Sequence, residues 1–290
     1  MMETICLNPK FSTTRLLIKG GPVSPIPFVA KGPDGGLRKA GYTKAAGRSN
    51  PVVCIITVTL NGVKFLEQTI ESVLGLAYPN VEFIIIDGGS KDGTVDILLK
   101  YNEQIDYWVS EPDEGIYDAM NKGWSLANEQ SFILYLGAGD TIISLPSNMA
   151  AYKSNQIIYG KVMLGAGKTF ESKADFRLRL TNTLHHQALL INKSIHPGPP
   201  FDRKFKVYAD FDFSQRLYKK GFKFVKSENF LSSASPAGAS KTYYRGEMAN
   251  IIRKNFGPLY AACFKLNGMR KRVNRILFRH FSKKRGLRHD

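Results

Sequence analysis

The 290-residue chain is poor in cysteine: Cys6, Cys54 and Cys263 are its only three. They are scattered, forming neither a paired framework nor a CxxC metal or redox pattern, and so point to a reducing, cytoplasmic setting. Long apolar runs are also missing, and none approaches the roughly 18–20 residues of a membrane-spanning helix. The N-terminal stretch lacks the apolar segment and small-residue cleavage site of a secretory signal. Two nucleotide-binding signatures are absent as well. The first strand-like run ends in Thr57-Val58-Thr59-Leu60-Asn61-Gly62, one glycine where a nicotinamide or flavin enzyme needs GxGxxG. No GxxxxGK[ST] occurs, which excludes a P-loop NTPase.

What the chain has in excess is positive charge, 41 Lys+Arg against 24 Asp+Glu for a net +17. The excess is uneven: +6 over 1–50, −1 over 51–240 and +12 over 241–290. With 43% hydrophobic residues the chain is too apolar for wholesale disorder. The middle therefore reads as an ordinary near-neutral domain, 50–240, with basic flanks. Residues 1–49, rich in Gly, Pro, Ser and Lys, show no sustained apolar period and are expected to be mostly unstructured, with a docking arm as the other reading. Basic flanks suggest nucleic acid, but they lack interleaved aromatics and adjoin a neutral domain with acidic strand ends. A nucleic-acid-binding protein is thus the weaker alternative, and no nucleic-acid partner is expected.

The middle alternates elements. Val52 to Thr59 is a short apolar, β-branched run, as a strand buried on both faces requires. Phe65, Leu66, Thr69, Ile70, Val73 and Leu74 recur at helical spacing, and Tyr78-Pro79-Asn80 ends that helix. Val81 to Ile86 is a second strand, followed by a helix through Val95 to Leu99. Ile105 to Val109 is a third strand, Ile116 to Ala127 a third helix and Phe132 to Leu136 a fourth strand. Strands alternating with helices predict βαβ units, an α/β fold with a largely parallel sheet flanked by helices.

Ligands of such sheets bind beyond the carboxyl ends of the strands. Here those ends read Thr59-Leu60-Asn61, Asp87-Gly88-Gly89-Ser90, Ser110-Glu111-Pro112-Asp113 and Gly137-Ala138-Gly139-Asp140. A cleft of carboxylates and small residues suits a nucleotide whose ribose and base donate hydrogen bonds and whose phosphates need a cation. Each segment taken singly also reads as a turn or helix cap.

Ile55 to Asn61 followed by Asp87-Gly88-Gly89-Ser90-Lys91-Asp92-Gly93-Thr94 resembles the opening of family 2 inverting glycosyltransferases of GT-A fold. Ser110-Glu111-Pro112-Asp113-Glu114-Gly115-Ile116-Tyr117-Asp118-Ala119-Met120-Asn121-Lys122-Gly123 is closest to the bacterial branch that builds exopolysaccharide and lipopolysaccharide units, the colanic acid type among them. The resemblance covers about 51–230. It implies transfer of a sugar from a nucleotide-sugar donor to a saccharide or lipid-linked saccharide acceptor with inversion. It also implies site residues. Asp87 matches the carboxylate on the base or ribose, with Thr57 and Asn61 bordering the base, though both also read as strand end and turn. Glu111 and Asp118 fall where the family lines the donor pocket; Asp118 reads equally as a solvated helix residue.

The family's metal-binding Asp-x-Asp is reduced here to Gly137-Ala138-Gly139-Asp140, leaving Asp140 to hold Mg²⁺ or Mn²⁺ with phosphate oxygens and waters. His186, in His185-His186-Gln187, resembles a group facing the phosphates or acceptor, with a surface or core histidine as the other reading; no further His or Cys lies at zinc-ligand spacing. Asp210, Phe213 and Leu217 share one helical face. Asp210 matches the family's general base, while an N-cap is the alternative role. In 241–290, Met269, Val273, Ile276, Leu277 and Phe281 fall at helical spacing among many Arg and Lys. This basic amphipathic stretch, 269–285, is expected on an anionic membrane at the inner face of the plasma membrane, or else packed on the domain.

Overall fold

The computed structural model describes residues 4–20, 30–45, 47, 49–165, 167–235 and 245–268. Three short strands come first, β1 (Leu17–Lys19), β2 (Asp34–Gly35) and β3 (Tyr42–Lys44). The expected alternation follows: β4 (Val53–Thr59), α1 (Leu66–Leu74), β5 (Val81–Asp87), α2 (Thr94–Lys100), β6 (Tyr107–Ser110), α3 (Ile116–Leu126) and β7 (Phe132–Gly137). Beyond it lie β8 (Thr141–Ser144), β9 (Gln156–Leu164), β10 (Lys168–Glu171), β11 (Leu189–Asn192), α4 (Ala209–Lys219), β12 (Lys223–Ser233) and α5 (Arg245–Phe256), with a further helical stretch at 258–268.

The main sheet runs β2-β6-β5-β4-β7-β11-β9-β12-β8, with β10 beside β9. Its β6-β5-β4-β7 core is parallel, and β7–β11, β11–β9 and β12–β8 are antiparallel. Every residue of β4 and β5 is buried. Both faces are covered, which is why these segments read as unbroken apolar runs instead of alternating. One face packs α1 through Leu66, Ile70, Val73 and Leu74, and the other packs α3 through Met120 and Trp124. Gly123 lets α3 approach β4: a Cβ there would lie 2.3 Å from the Ile56 side chain.

The first 49 residues depart from expectation. Residues 4–20 and 30–45 are built into the fold, with β1 pairing β3 and β2 adding to the sheet edge at β6. Polar anchoring, invisible to a search for apolar period, holds them. Arg38 pairs with Glu82 at 2.5 Å and donates to the Leu126 carbonyl at 2.9 Å, while Lys44 pairs with Asp106 at 3.2 Å. Ser12 donates to the Val73 carbonyl at 2.7 Å. The 269–285 stretch lies outside the described residues.

Breaking a buried pair by removing one partner strands the other charge, at a cost of about 3–5 kcal/mol. Arg38 and Glu82 are each 4% exposed in the side chain. Arg38→Ala should therefore lower unfolding stability by about that amount in denaturant titration. Arg38→Leu combined with Glu82→Leu should lose less than Arg38→Ala alone.

Candidate active site

The order β6-β5-β4-β7 puts a topological switch at β4, whose neighbours are reached by crossovers on opposite faces. Crevices open at such points beyond the strand ends. A cleft of about 550 Å³ lies there, with Thr59, Asn61, Gly137 and Asp140 on its strand-end side. The facing wall comes from later segments: His185, His186 and Gln187 before β11, and Lys206, Tyr208 and Asp210 at the start of α4.

Asp210 stands at the second position of α4, where a negative charge is favoured by the helix dipole. Its carboxylate is held on three sides. Phe211 N donates to Oδ1 at 2.8 Å, and the Tyr117 hydroxyl lies 3.2 Å from Oδ1 while donating to the Val207 carbonyl at 2.6 Å. His186 Nδ1 lies 3.1 Å from Oδ2. A carboxylate only accepts, so Nδ1 carries the hydrogen and Nε2 is left to the cleft or to a second proton.

Charge and burial oppose each other in this pair. Burial pulls the His186 imidazole down, but the hydrogen bond and charge of Asp210, with Asp140 behind, leave it above its ordinary value. Burial pushes Asp210 up, yet the His186 hydrogen bond and charge, Phe211 N and Tyr117 leave it below the usual carboxylate range. His185 is held low, by burial first and then by its cationic neighbour His186.

Asp140 ends the turn after β7 and is 6% exposed. Gly137 N and Gln187 Nε2 donate to its Oδ2 at 2.9 and 3.2 Å, and Ser235 N donates to Oδ1 at 2.8 Å. Thr69 holds the turn itself, donating to the Asp140 carbonyl at 2.7 Å and accepting from Gly139 N at 2.9 Å.

Asn61, Asp140, His186 and Asp210 thus come together on one cleft, as the sequence reading placed them. The other four do not line it. Thr57 is fully buried within β4. Asp87 is fully buried too, and knits the ends of β5 and β6 together: Ser90 N and Ser110 Oγ donate to Oδ2 at 2.9 and 2.6 Å, and Ser90 Oγ donates to Oδ1. Through Ser90 it also fixes Asn61, whose N–H donates to Ser90 Oγ at 2.6 Å in a left-handed turn with φ 51°. Glu111 is taken by Lys122 at 2.8 Å and by the Lys31 N–H at 2.9 Å. Asp118 pairs with Arg203 at 2.8 Å.

Tyr117 and Gln187 belong to the cleft and were missed. Both sit one residue from a chosen one. On a helix adjacent side chains diverge by about 100°, so Asp118 pointing to Arg203 leaves Tyr117 pointing inward. The apolar stripe of Tyr117, Met120 and Trp124 was the available signal.

The fold is the α/β architecture of GT-A glycosyltransferases. Residues 54–201, about half the chain, match the family Glycosyl transferase family 2, and the chain belongs to that family. A relative from Mycobacterium bovis, "PGL/p-HBAD biosynthesis glycosyltransferase", is 27% identical over 183 residues, 58% of this chain and 70% of that one. A Methanococcus voltae dolichyl N-acetyl-alpha-D-glucosaminyl phosphate 3-beta-D-2,3-diacetamido-2,3-dideoxy-beta-D-glucuronosyltransferase is 26% identical over 246 residues, covering 70% and 75%. Among solved structures, S. aureus TarS aligns with TM-score 0.53 and 16% identity over 70% of this chain, which spans only 38% of TarS. The Pyrobaculum calidifontis mannosyltransferase PcManGT, in complex with GDP-Man and Mn²⁺, aligns with TM-score 0.50 and 17% identity, covering 73% and 67%.

The His186 shift has a sign that can be checked. A raised imidazole contributes stability that is complete below its ordinary value of about 6.5 and lost as pH rises through its folded value. The groups facing it are Asp210 and Asp140, with His185 alongside and Lys206 and Tyr208 across the cleft. NMR titration should place His186 above about 6.5, and Asp210→Asn should bring it down.

Proposed function

We propose that this protein transfers a sugar from a nucleotide-sugar donor to a saccharide acceptor carried on a lipid, with inversion at the anomeric carbon, in the synthesis of a bacterial surface polysaccharide. The observation that carries this reading is the Asp210 carboxylate, clamped by His186, Tyr117 and Phe211 N, facing Asp140 across the cleft at the sheet's switch point. A sugar hydroxyl is a weak nucleophile near neutral pH. Asp210, ionised throughout the physiological range, takes its proton as it attacks. His186, donating from Nδ1, keeps the acceptor-side oxygen oriented.

Among the described residues lining the cleft only Asp140 and Asp210 are acidic. In this reading Asp210 serves as base and Asp140 is kept for the cation, so no second carboxylate on the cleft is left as a nucleophile. That division of roles supports direct displacement with inversion. Asn61 and the strand-end turns form the wall on which the donor rests. Two similar proteins support this class of substrate: PcManGT is in complex with GDP-Man, and the Methanococcus enzyme's name specifies a dolichyl-phosphate-linked sugar.

The family's divalent cation can be tested against the residues present. A carboxylate offers about four lone-pair positions, and three N–H groups leave Asp140 one, on Oδ1. Among the described residues no three His, Cys, Asp or Glu gather as a metal cluster. That set fits a cation with a single protein ligand, its remaining positions filled by phosphate oxygens and water, as Mg²⁺ and Mn²⁺ accept. Asp140 would hold it, and when bound it would neutralise charge on the leaving diphosphate. No helix among the described residues is long and apolar enough to cross a membrane. Access to a lipid-borne acceptor is assigned instead to the basic stretch 269–285, lying on an anionic surface from the cytoplasmic side.

Asp210→Asn should lower kcat by about 10²–10⁴-fold while leaving donor affinity within a few-fold, measured by calorimetry across UDP-, GDP- and dTDP-sugars. Near-normal turnover in that variant would remove Asp210 from the mechanism. Full-length protein should sediment with anionic vesicles at low salt and be released as salt screens the contact. Failure to sediment at low salt would end the membrane assignment.

A further inference from the structure

The start of α4 is held from outside the region that matches the family. The Glu247 carboxylate, in the first turn of α5, accepts three consecutive backbone N–H groups. Lys206 N donates to Oε2 at 2.9 Å, and Val207 N and Tyr208 N donate to Oε1 at 2.9 and 2.7 Å. Lys206, Val207 and Tyr208 form the turn that leads into α4, with Tyr208 as its N-cap residue, and their backbone N–H groups need acceptors there. A carboxylate brought from another helix fills that role, and its charge lies at the positive end of the α4 dipole.

The same three residues form part of the cleft wall. The Val207 carbonyl receives the Tyr117 hydroxyl that also meets Asp210, and Asp210 follows Tyr208 by two positions. Glu247 itself does not line the cleft, nor does any other described residue of α5. Further along, Asn255 donates to Asp212 Oδ1 and Gln215 Oε1, both at 3.0 Å, and Lys254 pairs with Asp212 at 3.2 Å. These contacts fasten the body of α4, whereas Glu247 fastens the turn that leads to Asp210.

We infer that Glu247 is a positioning residue of the catalytic cleft, fixing the 206–208 turn so that Asp210, His186 and Tyr117 hold their mutual geometry. The inference rests on the reading of Asp210 as the base, and it adds a dependence on a helix beyond residue 240. Displacing the turn loosens Asp210 from its clamp. It leaves the Asn61 and Asp140 side of the cleft, where the donor rests, untouched.

The test uses full-length protein carrying Glu247→Ala, Glu247→Gln and, as a control on the same helix, Asn255→Ala. Misplacement of a reacting group by about 1 Å costs on the order of 10²-fold in rate. Glu247→Ala should lower kcat about ten- to a hundredfold with donor KM within about twofold. Glu247→Gln keeps one acceptor oxygen, enough for two of the three N–H groups, and should recover part of the rate. Asn255→Ala should lower Tm without splitting kcat from donor KM. A readout independent of turnover is the His186 ring titration by NMR, which should move toward its ordinary value in Glu247→Ala as Asp210 drifts from it. A folded Glu247 variant with a lowered Tm but unchanged kcat and unchanged His186 titration overturns the assignment. If Glu247→Ala does not fold, the glutamine variant decides by the same two readouts. Should the wild type transfer no sugar from any donor, the glycosyl-transfer reading fails, while the titration still judges Glu247.

Discussion

Everything at this cleft depends on the parallel pairing of β4 with both β5 and β7. The strand order reverses at β4, with the crossover through α1 on one face of the sheet and that through α3 on the other, and where they part the ends of β4 and β7 stand over open space. That constraint brings Asn61 beside Gly137 and Asp140 although some eighty residues of chain separate them. It also explains why the chemistry of the facing wall comes from so far along the chain. β7 is extended on its other edge by antiparallel β11, which brings the His186 segment against Asp140, and α4 then closes the cleft with Asp210. The groups on the strand ends are placed by backbone pairing, and Asp210 by the docking of α4.

Legibility in the sequence followed the range of the interactions concerned. β4, β5 and β7 were readable because burial on both faces writes itself as an unbroken apolar run, and α1 and α3 because burial on one face writes a period. Asp140, His186 and Asp210 were readable because strand ends and motif spacing place them. Partner choice among polar groups has no such local signature. Nothing near Asp87 in sequence announces that Ser110, twenty-three residues on, will share its carboxylate with Ser90. Nothing near Glu111 or Asp118 announces that Lys122 and Arg203 will claim them. The described parts of the first 49 residues, 4–20 and 30–45, were misjudged for the same reason. Strands of two or three residues show no period, and the contacts that order them, Arg38 with Glu82 and Lys44 with Asp106, join cations of the arm to carboxylates of the sheet.

Those ion pairs also revise how the basic flanks are understood. Part of the +6 in the first 50 residues is spent inside the fold, where Arg38 and Lys44 are each 7% exposed. Charge buried against a specific carboxylate cannot attract a distant polyanion, because its field is already cancelled at close range. Nucleic-acid binding through the N-terminal flank therefore loses part of its basis on geometric grounds, independent of the family. The +12 of 241–290 stands differently. Most of it falls beyond the described residues, yet its first members are structural: Lys254 pairs with Asp202 and with Asp212 of α4.

It follows that the boundary drawn at 240 from charge alone divides a single working unit. A chain cut there would keep every residue of the family match and every titratable group on the cleft. It would still lose the Glu247 carboxylate from the α4 N-terminus and the Asn255 and Lys254 contacts from its flank. The Asp212 carboxylate, 0% exposed, would lose two of its partners with nothing but Arg216 to replace them. Leaving a buried charge partly uncompensated is among the costlier changes a domain can suffer. Loss of activity on removing 241–290 would then report the collapse of α4 and say nothing about membranes. Only a cut after 268, which spares α5 and the helical stretch that follows it, separates where the protein works from how it works.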